Sequence, residues 1–399
     1  MNRMRVLGYI FTLTLLLIPL SGFTQQQQES LPGQQQQAPQ QSFKLRFSGQ
    51  LSSWLNLTNG NELPLWGGGR YIPQINLNKH LKNSHLLDAE FSANIYGSAG
   101  VRPFDSINAS GRVKPYRAWF RYSGDQFEFR AGLQKLNFGS ASMLRPLMWF
   151  DQMDPRDPLQ LTDGVWGGLA RYYFLNNANI WAWMLYGNDN PRGWDPIPSN
   201  AKVPEFGGRL QLPVARGEIG LTYHYRTADS RELGTTAPAI EKIPENKFGF
   251  DAKWDLTTGI WVETSYTRKE QDMGLMTNQL VANAGIDYTF GLGNGLYFAC
   301  EQLLTSFDRT PFAFEATALF TVLTANYGIG LSDRISTILY YDWKGGNVYS
   351  FLNWQRQYDN IVLYAMAYWN PERFELPTQT RGQNIFAGRG IQIMFVFNH

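Results

Sequence analysis

The sequence predicts an all-β fold: a transmembrane antiparallel β-barrel of about eighteen strands, or sixteen if two weaker segments are loop. Three observations predict it. Apolar and polar residues alternate with a period of two from residue 43 to the end. Most alternating segments are about ten to fourteen residues long, enough for tilted membrane strands, which need ~9–11. Tight turns and long loops alternate between them, the rhythm of a barrel whose two ends face different compartments.

The chain begins with Arg3 and Arg5, an apolar run from Val6 to Leu20, then Pro19, Ser21 and Gly22. A basic start, a short apolar middle and a small-residue exit form an export signal, placed at 1–24. Residues 25–42 are rich in glutamine and poor in apolar side chains. Such a stretch buries too little surface to offset the entropy of ordering, so a disordered leader is expected there. The barrel is assigned to 43–399.

Strands are expected near 43–56, 70–82, 85–97, 111–123, 126–138, 164–175, 178–187, 204–214 and 217–228. Nine more follow near 246–256, 259–269, 278–291, 294–306, 314–327, 333–343, 347–357, 360–370 and 387–398. In the ninth, Ile219, Leu221, Tyr223 and Tyr225 alternate with Gly220, Thr222, His224 and Arg226. In the tenth, Phe248, Phe250, Ala252, Trp254 and Leu256 face away from Lys247, Asp251, Lys253 and Asp255. The last, "GIQIMFVF", sets out Ile391, Ile393, Phe395 and Phe397 on one face. After even-numbered segments the connections are tight, as in "SGD", "ARG" and "TTG". After odd-numbered segments they tend to be long, as at 57–69, 98–110, 139–163, 188–203 and 229–245.

With Arg3 and Arg5 removed, 33 basic residues face 33 acidic ones, which gives no argument for nucleic acid. Cys300 is the single cysteine, so no intramolecular disulfide framework exists. In a membrane barrel the polar face points into the lumen. Parity then nominates Arg117, Arg121, Arg130, Arg171, Arg209 and Arg226 as pore-lining cations. The opposing acids are Asp251, Asp255, Glu263, Asp287, Glu301 and Glu315. A basic wall facing an acidic wall sets a transverse field across a narrow pore. No nucleophile–base pairing or metal-ligand spacing stands out, so no enzyme, metal or cofactor is expected.

The run "LRPLMWFDQMDPRDPLQL", 144–161, carries Pro146, Pro155 and Pro158 and suits neither helix nor ladder. Its wider context, "FRAGLQKLNFGSASMLRPLMWFDQMDPRDP…TDGVWGGLARYYF", resembles the strand–loop–strand of porin-like and alginate-export-type outer-membrane barrels. Gly132, Gln134, Phe138, Gly139, Pro146, Trp149, Asp163, Gly164 and Tyr172 match that outline, and Leu133 stands where it has arginine. The resemblance implies a Gram-negative outer-membrane channel for passive diffusion of small hydrophilic solutes. Loop 139–163 would fold inward and narrow the pore, with Arg145, Trp149, Asp151, Asp154 and Asp157 at the constriction. Expected partners are outer-membrane lipid, the solutes and the outer-membrane assembly machinery, with a homo-oligomer left open. The alternative is a non-conducting barrel that binds surface polysaccharide through Trp66, Trp149, Trp166 and Trp194, or serves as an assembly or accessory subunit.

Overall fold

The computed structural model describes residues 43–59, 64–81, 83–102, 105–153, 156–236, 238–372 and 386–399. The signal and leader expected at 1–42, and Asp154, lie outside them. Eighteen strands form one closed sheet. In chain order they are β1 Phe43–Thr58, β2 Leu65–His80, β3 Leu86–Arg102, β4 Ser106–Ser123, β5 Phe127–Gln134 and β6 Val165–Tyr173. Then come β7 Asn179–Leu185, β8 Glu205–Val214, β9 Gly217–Ala228, β10 Ile243–Asp255, β11 Gly259–Lys269 and β12 Asn278–Phe290. The ring continues through β13 Leu296–Asp308, β14 Ala316–Ile329, β15 Asp333–Asp342, β16 Asn347–Gln357, β17 Ile361–Trp369 and β18 Arg389–Asn398.

Each strand pairs antiparallel with its sequence neighbours, and β1 meets β18 from Gln50↔Asn398 to Thr58↔Gly390. Closure removes the unpaired edges that a long apolar sheet would otherwise present. The expected alternation decides which face looks out. On β9, Leu221 and Tyr223 are exposed while Thr222, His224 and Arg226 are buried. Phe91, Phe120, Phe248, Phe250, Ile286, Leu352 and Ile393 continue an exposed apolar belt around the exterior. Such a belt matches hydrocarbon rather than water. Among the described residues no helix is long and apolar enough to cross a membrane.

Three expectations change. The long loop read at 57–69 shortens, because β1 runs to Thr58 and β2 already starts at Leu65. The loop read at 98–110 is mostly ladder, because β3 runs to Arg102 and β4 starts at Ser106. Glycines and serines there resemble turn sequence, yet Gly97 pairs Gly111 and Ser98 pairs Ser110 in regular register. Conversely, β5 stops at Gln134, four residues before its expected end. Lys135–Phe138 leave the wall with the following loop, so the inward connection is 135–164 rather than 139–163.

Candidate functional site in the barrel lumen

Loop 135–164 lies inside the barrel. It turns at Gly139, whose φ of +104° favours glycine and whose Cβ would sit 2.4 Å from a Glu263 oxygen. An irregular backbone away from the ladder carries N–H groups that need acceptors. Two wall carboxylates from the far side of the ring supply them. Glu263 of β11 accepts from the amides of Ala141 (2.8 Å) and Leu147 (2.6 Å). Glu301 of β13 accepts from those of Ser142 (2.7 Å), Met143 (3.0 Å) and Leu144 (2.8 Å). Ser140 donates to Asp251 of β10 at 3.1 Å, and Trp149 Nε1 donates to Ser265 Oγ at 2.8 Å. The loop's apolar residues Leu136, Phe138, Leu147, Trp149 and Phe150 bury against Val165, Leu169, Trp183 and Leu185 of β6 and β7. Polar anchors on one wall and apolar burial on the other hold the segment across the bore.

The connection 186–204, after β7, also turns inward. Arg192 donates to Glu205 at 2.7 Å, and the same carboxylate contacts His224 Nε2 at 3.0 Å. Asp195 pairs with Lys247 and lies 3.3 Å from Arg226. Arg226 in turn binds Glu245 at 2.6 Å, and Lys269 Nζ lies 3.4 Å from Glu245. All these side chains are buried. Charges taken from water persist only with close partners, so this network fixes where the loop sits more than it adds net stability.

The sequence-nominated residues fall into three groups. Arg121, Arg130 and Arg171 remain partly exposed on the inner face of β4–β6. They surround Glu128 at 3.6, 2.9 and 3.7 Å, and Arg121 also pairs with Asp88. Trp119 stacks beneath Arg121 and Arg130 (5.6 and 4.8 Å), and Trp181 beneath Arg171 at 3.8 Å. A second group faces inward without reaching open water. Arg209, Arg226, Asp251, Glu263 and Glu301 are at most 4% exposed. Arg209 and Asp251 pair at 2.5 Å, while the two glutamates carry the loop. Arg117 is buried as well, donating to the carbonyls of Thr162 (3.0 Å) and Asp163 (3.1 Å) and so holding the loop's exit. Their expected place along a water-filled wall is corrected by the inward loops, which cover them. The third group sits at the rims. Asp255 is exposed at the short-turn end beside Lys253, and Asp287 accepts from Tyr297 at 3.1 Å. Glu315 precedes β14 and pairs with Arg309 at 3.1 Å, off the wall on which it was placed.

Within the loop, Arg145 donates to the Phe138 carbonyl at 2.8 Å, and Asp157 accepts from the Leu159 amide at 2.9 Å. Asp151 is not the aqueous edge the sequence suggested. It is buried, accepts from the Gly164 amide at 3.0 Å, and burial pushes its carboxyl up from 3.8 to about 6. Trp66 and Trp149 are buried too, and Trp166 looks outward from β6, so these three present no sugar-stacking surface in the lumen. Sequence reasoning missed Trp119, Trp181 and the inward course of 186–204. The shared parity of Trp119 with Arg117 and Arg121 was the available signal for the first.

No family model and no curated protein matches this chain. Among solved structures it is similar to a mutant porin of Rhodopseudomonas blastica, at 12% identity and a TM-score of 0.46, over 89% of this chain and 100% of that one. It is also similar to Salmonella typhi OmpF in complex with daunomycin, at 9% identity and a TM-score of 0.47, over 89% and 97%.

Proposed function

We propose that this chain is an outer-membrane channel for passive diffusion of small hydrophilic solutes, its bore narrowed by loop 135–164. One observation carries the reading: a closed, lipid-compatible barrel holds that loop across its interior while Arg121, Arg130 and Arg171 stay accessible beside it. Export by the expected signal, and the strand–loop–strand outline shared with porin-like and alginate-export-type barrels, support the same reading. Along the inner face of β2–β6, Arg70, Arg121, Arg130 and Arg171 outnumber Asp88, Glu90 and Glu128, which leaves an excess of positive charge and a preference for anions.

Planar-bilayer recording tests it. The purified, folded protein should give discrete conductance steps, and Arg121→Glu with Arg130→Glu should move the reversal potential toward cations. A folded protein that never conducts would sink the channel. A non-conducting barrel is the second reading, and one observation favours it. Leu144 packs into an apolar patch on the inner wall, with Val281, Leu303, Phe320, Tyr349 and Phe351, and seals that side of the bore.

A further inference from the structure

We propose that loop 186–204 is a second pore-shaping element, and that Gly193 is where it locks the constriction loop in its narrow position. The proposal rests on the channel reading above only for its consequence in solute flow; the lock itself is a contact between two loops.

Hydrogen bonds join the loops. Gly193 N donates to the Asp151 carbonyl at 3.0 Å, Gln152 Nε2 to the Pro191 carbonyl at 2.7 Å, and Trp194 Nε1 to the Arg145 carbonyl at 2.8 Å. The Trp194 carbonyl accepts from Gln279 of β12 at 2.9 Å, so this residue ties the constriction loop to the opposite wall. At Gly193 the backbones nearly touch. Its φ is +49°, and a Cβ there would lie 1.9 Å from the Met148 carbonyl oxygen. The obstacle is main chain, which cannot rotate aside as a side-chain tip would.

Neither partner is free to give way. Arg192, beside Gly193, is held by Glu205, and Asp195, two residues on, by Lys247. Met148 lies between Leu147, whose amide Glu263 accepts, and Trp149, whose indole binds Ser265. Inserting one methyl group must therefore break one set of anchors, and the seam between the loops opens whichever side moves. That seam lies over the apolar patch around Leu144, against which Trp194 also packs. Water admitted there bypasses the arginine wall, so flux should rise while ion preference weakens.

Gly187 supplies the control. It sits in the same loop with a φ of +77°, yet a Cβ there meets nothing within 4 Å. Gly187→Ala thus adds left-handed backbone strain without the collision. Gly193→Ala should raise unit conductance by about 1.5-fold or more, because pore width sets flux, and shift the reversal potential toward zero. Gly187→Ala should do neither. Trp194→Phe, which keeps the ring but loses the donation to Arg145, should act in the same direction as Gly193→Ala.

A readout independent of conduction separates this proposal from the channel itself. In a Cys300→Ser background, Leu144→Cys should react slowly with a water-soluble maleimide, since Leu144 is 5% exposed. Adding Gly193→Ala should speed that reaction about tenfold, as local opening governs access to buried sites. Faster labelling in a barrel that never conducts would uphold the lock and remove the channel. Labelling unchanged by Gly193→Ala, or changed equally by Gly187→Ala, would overturn the lock.

Discussion

Asp151 shows how a residue's role follows from where its backbone neighbours place it. Its sequence context, between prolines and other aspartates, reads as a hydrated loop edge. The structure buries it behind Arg117, with the Gly164 amide as its hydrogen-bond donor. Burial raises its pKa from 3.8 to about 6 despite the nearby cations. With the loop docked the carboxyl holds its proton to higher pH than with the loop released. Docking is therefore strongest below about pH 4 and weakens as pH rises toward 6, by an amount of order 3 kcal/mol. Hydrogen exchange of residues 144–153 should show greater protection at pH 4 than at pH 7.5. Asp151→Asn should remove this part of the difference; an unchanged pH profile in that variant would place the titration elsewhere.

At the scale of elements, period-two alternation located all eighteen strands, because each must present one face to lipid and one to the lumen. Their ends were less legible. The β3–β4 hairpin continues past residue 97 through Gly, Ser and Ala positions that no longer need an apolar face, so alternation fades there while the ladder persists. That this segment is a loop was legible from its prolines, its inward course was implied only by the resemblance to porin-like barrels, and its anchors were not legible. Glu263 and Glu301 follow strand parity like any lumen acid, and nothing local reveals that five amides from residues 141–147 will meet them. Those amides answer much of the glutamates' charge, so their release has an electrostatic consequence. Deleting 144–158 removes the contacts of Leu144 and Leu147 to these carboxylates, that of Trp149 to Ser265, and that of the Leu144 carbonyl to Asn283. Unit conductance should increase, and the uncovered Glu263 and Glu301 should turn the ion preference toward cations. Larger steps with an unchanged reversal potential would show that these carboxylates stay covered.

For the whole molecule, a closed ring leaves every strand with two partners, so stability depends on matching two surfaces to two solvents rather than on a single interior. The exterior is legible in the sequence because its requirement is simple: apolar side chains at every second position of the belt. The lumen is harder to read, since the same polar parity serves the partly exposed Arg130, the buried Arg226 and the loop-bearing Glu301. Only the path of two long loops distinguishes them. This asymmetry gives a direct test of orientation. Ile393 of β18 faces outward between its partners Leu55 and Ala365, whereas Asn76 of β2 has lumen parity near Gln74. Ile393→Arg places a charge against hydrocarbon and should destabilise the folded barrel by about 2–4 kcal/mol if it lies near the midplane. Asn76→Arg, which enters a polar and half-exposed site, should change stability by less than about 1 kcal/mol. Reversible guanidinium unfolding in lipid vesicles measures both. Equal losses at the two positions would mean that the faces of the barrel are not separated between lipid and water as the burial pattern requires.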